Sequence, residues 1–194
     1  MKKIKGKLLM TAAEMDLAIA RISAEIAEKL SSRDEFAIIG IRRRGVHIAQ
    51  RLCRRLEAIL KHSIPFGILD ITLYRDDLTT ISNRPMLLET LIDFDINNLS
   101  LVLVDDVLYT GRTVRSALDG IVDLGRPKSV QLAVLVDRGG RELPIQADYV
   151  GKYLQAAEDE IVEVRLTEED QDERVILLKR PKPTQMPEEV SRGL

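Results

Sequence analysis

The segment Leu101–Thr113, LVLVDDVLYTGRT, restricts the fold of this chain more than any other. Four apolar residues, Leu101 to Val104, run without a polar interruption, as in a parallel strand buried on both faces. Two carboxylates, Asp105 and Asp106, follow at once. A short turn, Thr110-Gly111-Arg112-Thr113, then leads into a helical pattern. Open α/β sheets bind ligands beyond the carboxyl ends of their strands. A turn entering a helix aims backbone N–H groups at an anion. One segment thus offers acceptors for sugar hydroxyls and a cradle for a phosphate, which together suit a ribose phosphate.

The flanking sequence supplies the rest of such a sheet. Thr11 with Glu14 forms a capping-box pattern, and Met15, Ile19, Ile22, Ile26 and Leu30 recur at helical spacing. Phe36–Ile41 reads as a central strand. Arg42–Gly45 is a tight basic loop, and Val46 to Leu60 is a helix burying Val46, Ile48, Ala49, Leu52, Cys53, Leu56 and Ile59. Gly67–Tyr74 is strand-like, Leu78–Arg84 is a polar loop expected to be mobile, and Met86–Phe94 returns from it as a β-arm. Thr113–Leu124 is a helix stopped by Gly125 and Pro127, and Ser129–Val136 is another buried strand. Shorter strands are expected at Tyr149–Tyr153, Ile161–Leu166 and Val175–Leu178. The order predicts a parallel α/β core with right-handed crossovers. Residues 1–180 are expected to form one domain, and the proline-rich 181–194 a frayed tail.

If the three main strands are parallel, their polar ends, Arg42–Gly45, Asp105–Thr113 and Asp137–Gly140, converge on one edge. An aspartate at a strand end or a threonine at a helix start is commonplace by itself; the convergence is what argues for a site. A Walker A loop is excluded, because Val46-His47 follow Gly45 where Lys-Ser/Thr is required, and no G-x-G-x-x-G occurs. His47 and His62 read as structural or surface residues, and Arg51, Arg54 and Arg55 as solvent-facing. Cys53, the only cysteine, lacks a base partner and excludes an intramolecular disulfide, which suggests a reducing, cytoplasmic setting. No zinc pattern is present, and no apolar run is long enough to span a membrane. A net charge of −2 argues against a dedicated nucleic-acid binder without excluding a local basic face.

LVLVDDVLYTGRT resembles the phosphoribosyl pyrophosphate (PRPP) motif of type I phosphoribosyltransferases. DITLYRDDL at Asp70–Leu78, VDDVLYTGRTVRSALDGIVDLGRP at Val104–Pro127 and QLAVLVDRGGRELPIQADYVGK at Gln131–Lys152 resemble the PyrR family of pyrimidine operon regulators with uracil phosphoribosyltransferase activity. The resemblance implies a type I phosphoribosyltransferase core, a central parallel sheet flanked by helices with a flexible β-arm loop and a small hood. It implies the reaction of uracil with PRPP to UMP and pyrophosphate, with Mg2+ held through PRPP and water rather than directly. Asp105, Asp106 and Arg75 would be catalytic. Arg43, Arg44, Val107, Leu108, Tyr109, Thr110, Gly111, Arg112 and Thr113 would bind PRPP, Arg43 standing where the family usually has threonine. Val136, Asp137 and Arg138 would approach uracil, and Tyr74, Asp76, Asp77 and Arg84 would belong to the closing loop. Lys29, Arg141 and Lys152 keep basic character on the face that RNA-binding members use, whereas Ala20, Ala24 and Gln146 replace polar or basic residues there. The expected partners are uracil, PRPP, UMP or UTP, a second copy of the chain in a homodimer or higher homo-oligomer, and pyrimidine operon leader RNA. An RNA-binding attenuator with vestigial catalysis and a phosphoribosyltransferase for another base are the alternatives.

Overall fold

The computed structural model describes residues 6–30, 35–72 and 90–180. Helix α1, Ala12–Lys29, begins at Thr11, whose hydroxyl accepts from Glu14 N while the Glu14 carboxylate accepts from Thr11 N at 2.8 Å. This is the reciprocal cap that the sequence predicts. Met15, Ile19, Ile22 and Ile26 on α1 are each at most 1% exposed. Burying such a side chain contributes about 1.5–3 kcal/mol, so the stripe fixes the helix to the sheet. Strand β2, Phe36–Ile41, is buried at all six positions. Helix α2 spans Arg44–Leu60, two residues earlier than the apolar pattern predicts, and Ile59 is 49% exposed rather than buried.

Strand β3 is Phe66–Leu69, and Leu91 bridges its Ile68 in antiparallel sense. Residues 86–89 of the expected β-arm, with Leu78–Arg84, lie outside the described residues, as does the expected tail; apart from the Leu91 bridge, Thr90–Phe94 is irregular rather than strand. Strand β4, Ser100–Leu108, does not stop at Val104 but runs through both aspartates. Helix α3, Arg112–Leu124, follows, then strand β5, Ser129–Asp137, and strand β6, Tyr149–Tyr153. The five strands pair in the order β3-β2-β4-β5-β6, every pair parallel. Val102 and Val104 face the cluster containing α1 and α2, while Leu101 and Leu103 face the one containing α3. That is the period-2 alternation of a strand covered on both sides.

A second sheet is antiparallel. Strand β1, Lys7–Thr11, pairs with β8, Arg174–Lys179, which pairs with β7, Glu160–Arg165; the order is β1-β8-β7. One helical turn, α4 at Thr167–Asp170, links β7 to β8. This is the small hood expected above; β1 and α4 themselves are additions to the predicted elements. Among the described residues, no helix is long and apolar enough to cross a membrane.

The start of α2 lies directly against β4. A Cβ on Gly45 would stand 2.5 Å from the Val104 carbonyl oxygen and 3.1 Å from Asp105 Cα. Both are backbone atoms that cannot rotate aside. Gly45→Ala is therefore expected to destabilise the fold by about 1–3 kcal/mol. An unchanged denaturation midpoint would show that the two backbones are not in this contact.

Candidate active site

Because β2, β4 and β5 are parallel neighbours, their carboxyl ends share one edge, as the sequence reading required. A cleft of about 440 Å3 opens there, lined by Arg42, Arg43, Arg44, Asp70, Ile71, Thr72, Asp105, Asp106, Val107 and Thr113. The structure thus brings together Arg43, Arg44, Asp105, Asp106, Val107 and Thr113 of the predicted residues. Tyr74, Arg75, Asp76, Asp77 and Arg84 lie outside the described residues.

Asp105 is 7% exposed, and its Oδ1 accepts from Asp106 N at 2.9 Å. Asp106 Oδ1 accepts from Val107 N at 2.9 Å. Burial pushes both carboxyls above the ordinary carboxylate range; for Asp105 the neighbouring Asp106 charge adds to the effect, and for Asp106 the adjacent hydrogen bonds and Arg44 oppose it. A raised pKa means that the folded state holds the proton more tightly than the unfolded chain. Stability then falls as pH rises above the unfolded value of about 3.9, through the folded value. Asn at 105 keeps the acceptor for Asp106 N and removes this titration. Asp105→Asn is therefore expected to stabilise the protein near neutral pH by about 1–2 kcal/mol, the gain vanishing below pH ~4. Thermal melts at several pH values measure it; a loss of stability at neutral pH contradicts the burial argument.

The phosphate turn is held from outside. Gly111, at φ 93°, occupies the left-handed region and starts α3 with no side-chain cap. Thr110 Oγ1 accepts from Arg112 N at 3.3 Å, and Thr110 O accepts from Glu142 N and Leu143 N at 3.0 and 3.1 Å. Arg112 reaches outward to Glu142 at 2.7 Å. Leu108 is buried, and the Tyr109 ring lies under the Arg138 guanidinium, 4.0 Å from its centroid. The uncapped first turn of α3 is a place for an anion.

Val136–Arg138 is not part of this cleft's lining. Asp137 borders a second cavity, of about 590 Å3, with Gly139, Arg141, Ile145, Gln146, Tyr153, Leu154 and Gln155. Asp137 accepts from Gly139 N at 3.0 Å and from Arg141. Arg138, 3% exposed, donates to Glu160 O at 2.8 Å and Ala157 O at 3.0 Å, and only its Nε is buried without a hydrogen-bond partner. Lys29, Arg141 and Lys152 are also engaged within the chain. Lys29 lies over the Tyr149 ring at 4.6 Å, Arg141 donates to Tyr109 O and Ile145 O at 2.9 Å each, and Lys152 donates to Leu9 O at 3.0 Å.

The sequence reading missed Asp70. It stands just beyond β3, and its Oδ1 accepts from Thr72 N and Oγ1 at 2.9 and 2.6 Å. Its Oδ2 is buried with no hydrogen-bond partner. The rule that picked out Asp105, an acid at the carboxyl end of a parallel strand, would have found it. Among the described residues no three His, Cys, Asp or Glu side chains gather into a metal cage. A cation here would need oxygens from its ligand and from water, and the unpartnered Asp70 Oδ2 and the two aspartates are suitable acceptors for that water. One other expectation changes: Arg51 is only partly exposed and pairs with Glu168 and Glu173, whereas Arg54 is exposed and Arg55, paired with Asp16, stays at the surface. Cys53 is buried, and burial pushes its thiol up to about 11, so it is no nucleophile at neutral pH.

Comparison with known proteins agrees with this geometry. Residues 9–171 match the model of the phosphoribosyl transferase domain. The Bifunctional protein PyrR of Caldicellulosiruptor bescii is 54% identical over 173 residues, covering 89% of this chain and 95% of the relative. That of Thermus thermophilus is 51% identical over 172 residues, with the same coverage. Among solved structures, a Trypanosoma cruzi hypoxanthine phosphoribosyltransferase superposes with a TM-score of 0.70 at 23% identity, covering 93% of this chain and 94% of that one, which speaks to the fold alone. A five-stranded parallel sheet with paired acids and a glycine turn at its edge, matched over most of its length by these relatives, places the chain in the phosphoribosyltransferase family, and within it among the PyrR proteins.

Proposed function

We propose that the protein converts uracil and PRPP to UMP and pyrophosphate. The observation that carries this reading is the single cleft holding Asp105, Asp106, Thr113 and the Arg42–Arg44 loop. Asp105 and Asp106 accept the ribose hydroxyls and stabilise positive charge at the anomeric carbon as its bond to pyrophosphate breaks. The bond from that carbon to the uracil nitrogen forms as the nitrogen loses its proton. Val107–Thr113 receives the 5′-phosphate at the start of α3, and Arg43 and Arg44 bind the pyrophosphate through charge-assisted hydrogen bonds. Asp70 and the paired acids would hold a PRPP-borne Mg2+ through water, and the ion would supply neutralisation of phosphate charge. Val136–Arg138, with Arg138 stacked on Tyr109 and Asp137 bordering the second cavity, would form the base end.

A panel of uracil, cytosine, hypoxanthine and guanine with PRPP and Mg2+ tests the reading. Product with uracil is expected; product only with a purine, or none, would overturn it. A homodimer or higher homo-oligomer belongs to the same reading, measured by sedimentation, and so does a cytoplasmic location.

The relatives' name, Bifunctional protein PyrR, favours a second role. We infer that the protein also binds pyrimidine operon leader RNA under control of UMP or UTP. Lys29, Arg141 and Lys152 would have to exchange their internal partners or contribute only their field. Titration of leader RNA at several salt concentrations should show uridine-nucleotide-dependent affinity that weakens with salt; affinity indifferent to both eliminates this role.

A further inference from the structure

The hood grips α2 through a row of ion pairs. Arg44, His47 and Arg51 share one face of the helix, and their partners all come from the turn between β7 and β8. His47 meets Glu169 at 3.0 Å, and Arg51 meets Glu168 at 2.7 Å and Glu173 at 2.5 Å. Only the Arg44 pair belongs to a residue that also lines the catalytic cleft.

That pair has two bonds. Arg44 Nε donates to Asp170 Oδ2 at 3.2 Å, and an Nη donates to Oδ1 at 2.9 Å. Asp170 is itself fixed, since its Oδ2 accepts from Leu166 N at 3.0 Å and its own N–H donates to Leu166 O at 2.7 Å. Arg44 holds the Asp170 carboxyl below its ordinary range, so the carboxylate stays charged at neutral pH. On its other side Arg44 lies within electrostatic reach of Asp106.

We propose that Asp170 is a positioning residue, a bidentate anchor in the hood that holds the Arg44 guanidinium ready for the pyrophosphate of PRPP. This rests on reading the cleft as the PRPP site. A free arginine side chain loses much rotamer freedom when a ligand orders it. An arginine already held by a rigid carboxylate has lost most of that freedom in the apo protein, which favours binding and alignment of the leaving group. Asp170 does not line the cleft whereas Arg44 does, so Asp170 would act on the ligand through the guanidinium. The same small sheet is tied at the start of β7 to Arg138, through Glu160 O and Ala157 O. The hood therefore touches both the base end and the pyrophosphate end of the site.

Steady-state kinetics of Asp170→Asn test this, with wild type measured first. If wild type makes no UMP and gives no heat of binding with PRPP and Mg2+, the reading of the site fails. If wild type is active, Asp170→Asn is expected to lower kcat/KM for PRPP about tenfold while KM for uracil changes less than twofold. Asp170→Glu keeps the charge with a longer reach and is expected to lose about threefold; it serves if the asparagine variant does not fold. In an Arg44→Ala background, Asp170→Asn should cost less than a further twofold. Glu168→Gln loosens the same turn without touching Arg44 and should lower the melting temperature but leave kcat/KM for PRPP within twofold. The proposal is overturned if the Asp170 variants match wild type, if their loss persists without Arg44, or if Glu168→Gln is equally costly.

Discussion

Replacing Asp105 and Asp106 together by asparagine is expected to lower kcat for UMP formation by about 100- to 1,000-fold. In the proposed reaction the carboxylates meet a sugar whose anomeric carbon becomes cationic only as the pyrophosphate leaves. Their attraction is therefore stronger in the transition state than in the bound substrate, and its loss falls on kcat rather than on KM. The paired amides still accept hydrogen bonds, so PRPP should bind the double variant with affinity reduced much less than the rate. Neighbouring charges of this kind are not additive, so the single variants need not sum to the double. A double variant that retains more than a tenth of wild-type kcat removes these residues from the chemistry. The same substitution at 105 should raise stability at neutral pH, so the variant that loses most activity should also resist heat better. Buried acids retained at a cost to the fold are what a functional demand looks like.

Arg138→Ala is expected to be the most destabilising of the substitutions considered, by about 3–5 kcal/mol. Arg138 is 3% exposed and satisfies two main-chain carbonyls of the loop entering β7. Truncation leaves those acceptors without their donor, opens a cavity and removes the guanidinium from the face of Tyr109. Each lost hydrogen bond from the charged guanidinium costs about 1.5–3 kcal/mol. Because Tyr109 lies in the turn proposed to bind the 5′-phosphate, PRPP affinity should fall together with the melting temperature. Denaturant titration measures the first effect and calorimetry with PRPP the second. A variant as stable as wild type would mean that the hood does not depend on this arginine.

The parts of the molecule legible in the sequence are those specified by short-range patterns. The capping box at Thr11 and Glu14, the stripe from Met15 to Ile26 and the apolar runs of β2 and β4 each announce their element within a few residues. Convergence of three strand ends follows from parallel pairing alone, so the cleft could be placed before the coordinates. The boundary of β4 was less legible because aspartate is depleted in strands, and tertiary pairing with Val134 overrode that preference at Asp105. Strand β1 carries mixed exposure and has its only partner in β8, so no local signal marks it. The acids at 168–173 read as an ordinary polar turn; their role depends on α2, more than a hundred residues away.

The pairing of β1 with β8 also orders events during synthesis. Strand β1 has to wait for β8, with the five-stranded sheet completed in between. Such distant pairing makes for a late folding step. A nascent chain that has not yet reached residue 174 could already hold its acids and arginines on one rim, but Arg44 would lack a docked hood to steady it. Full competence toward PRPP would then come only after β8 has been synthesised and has paired with β1.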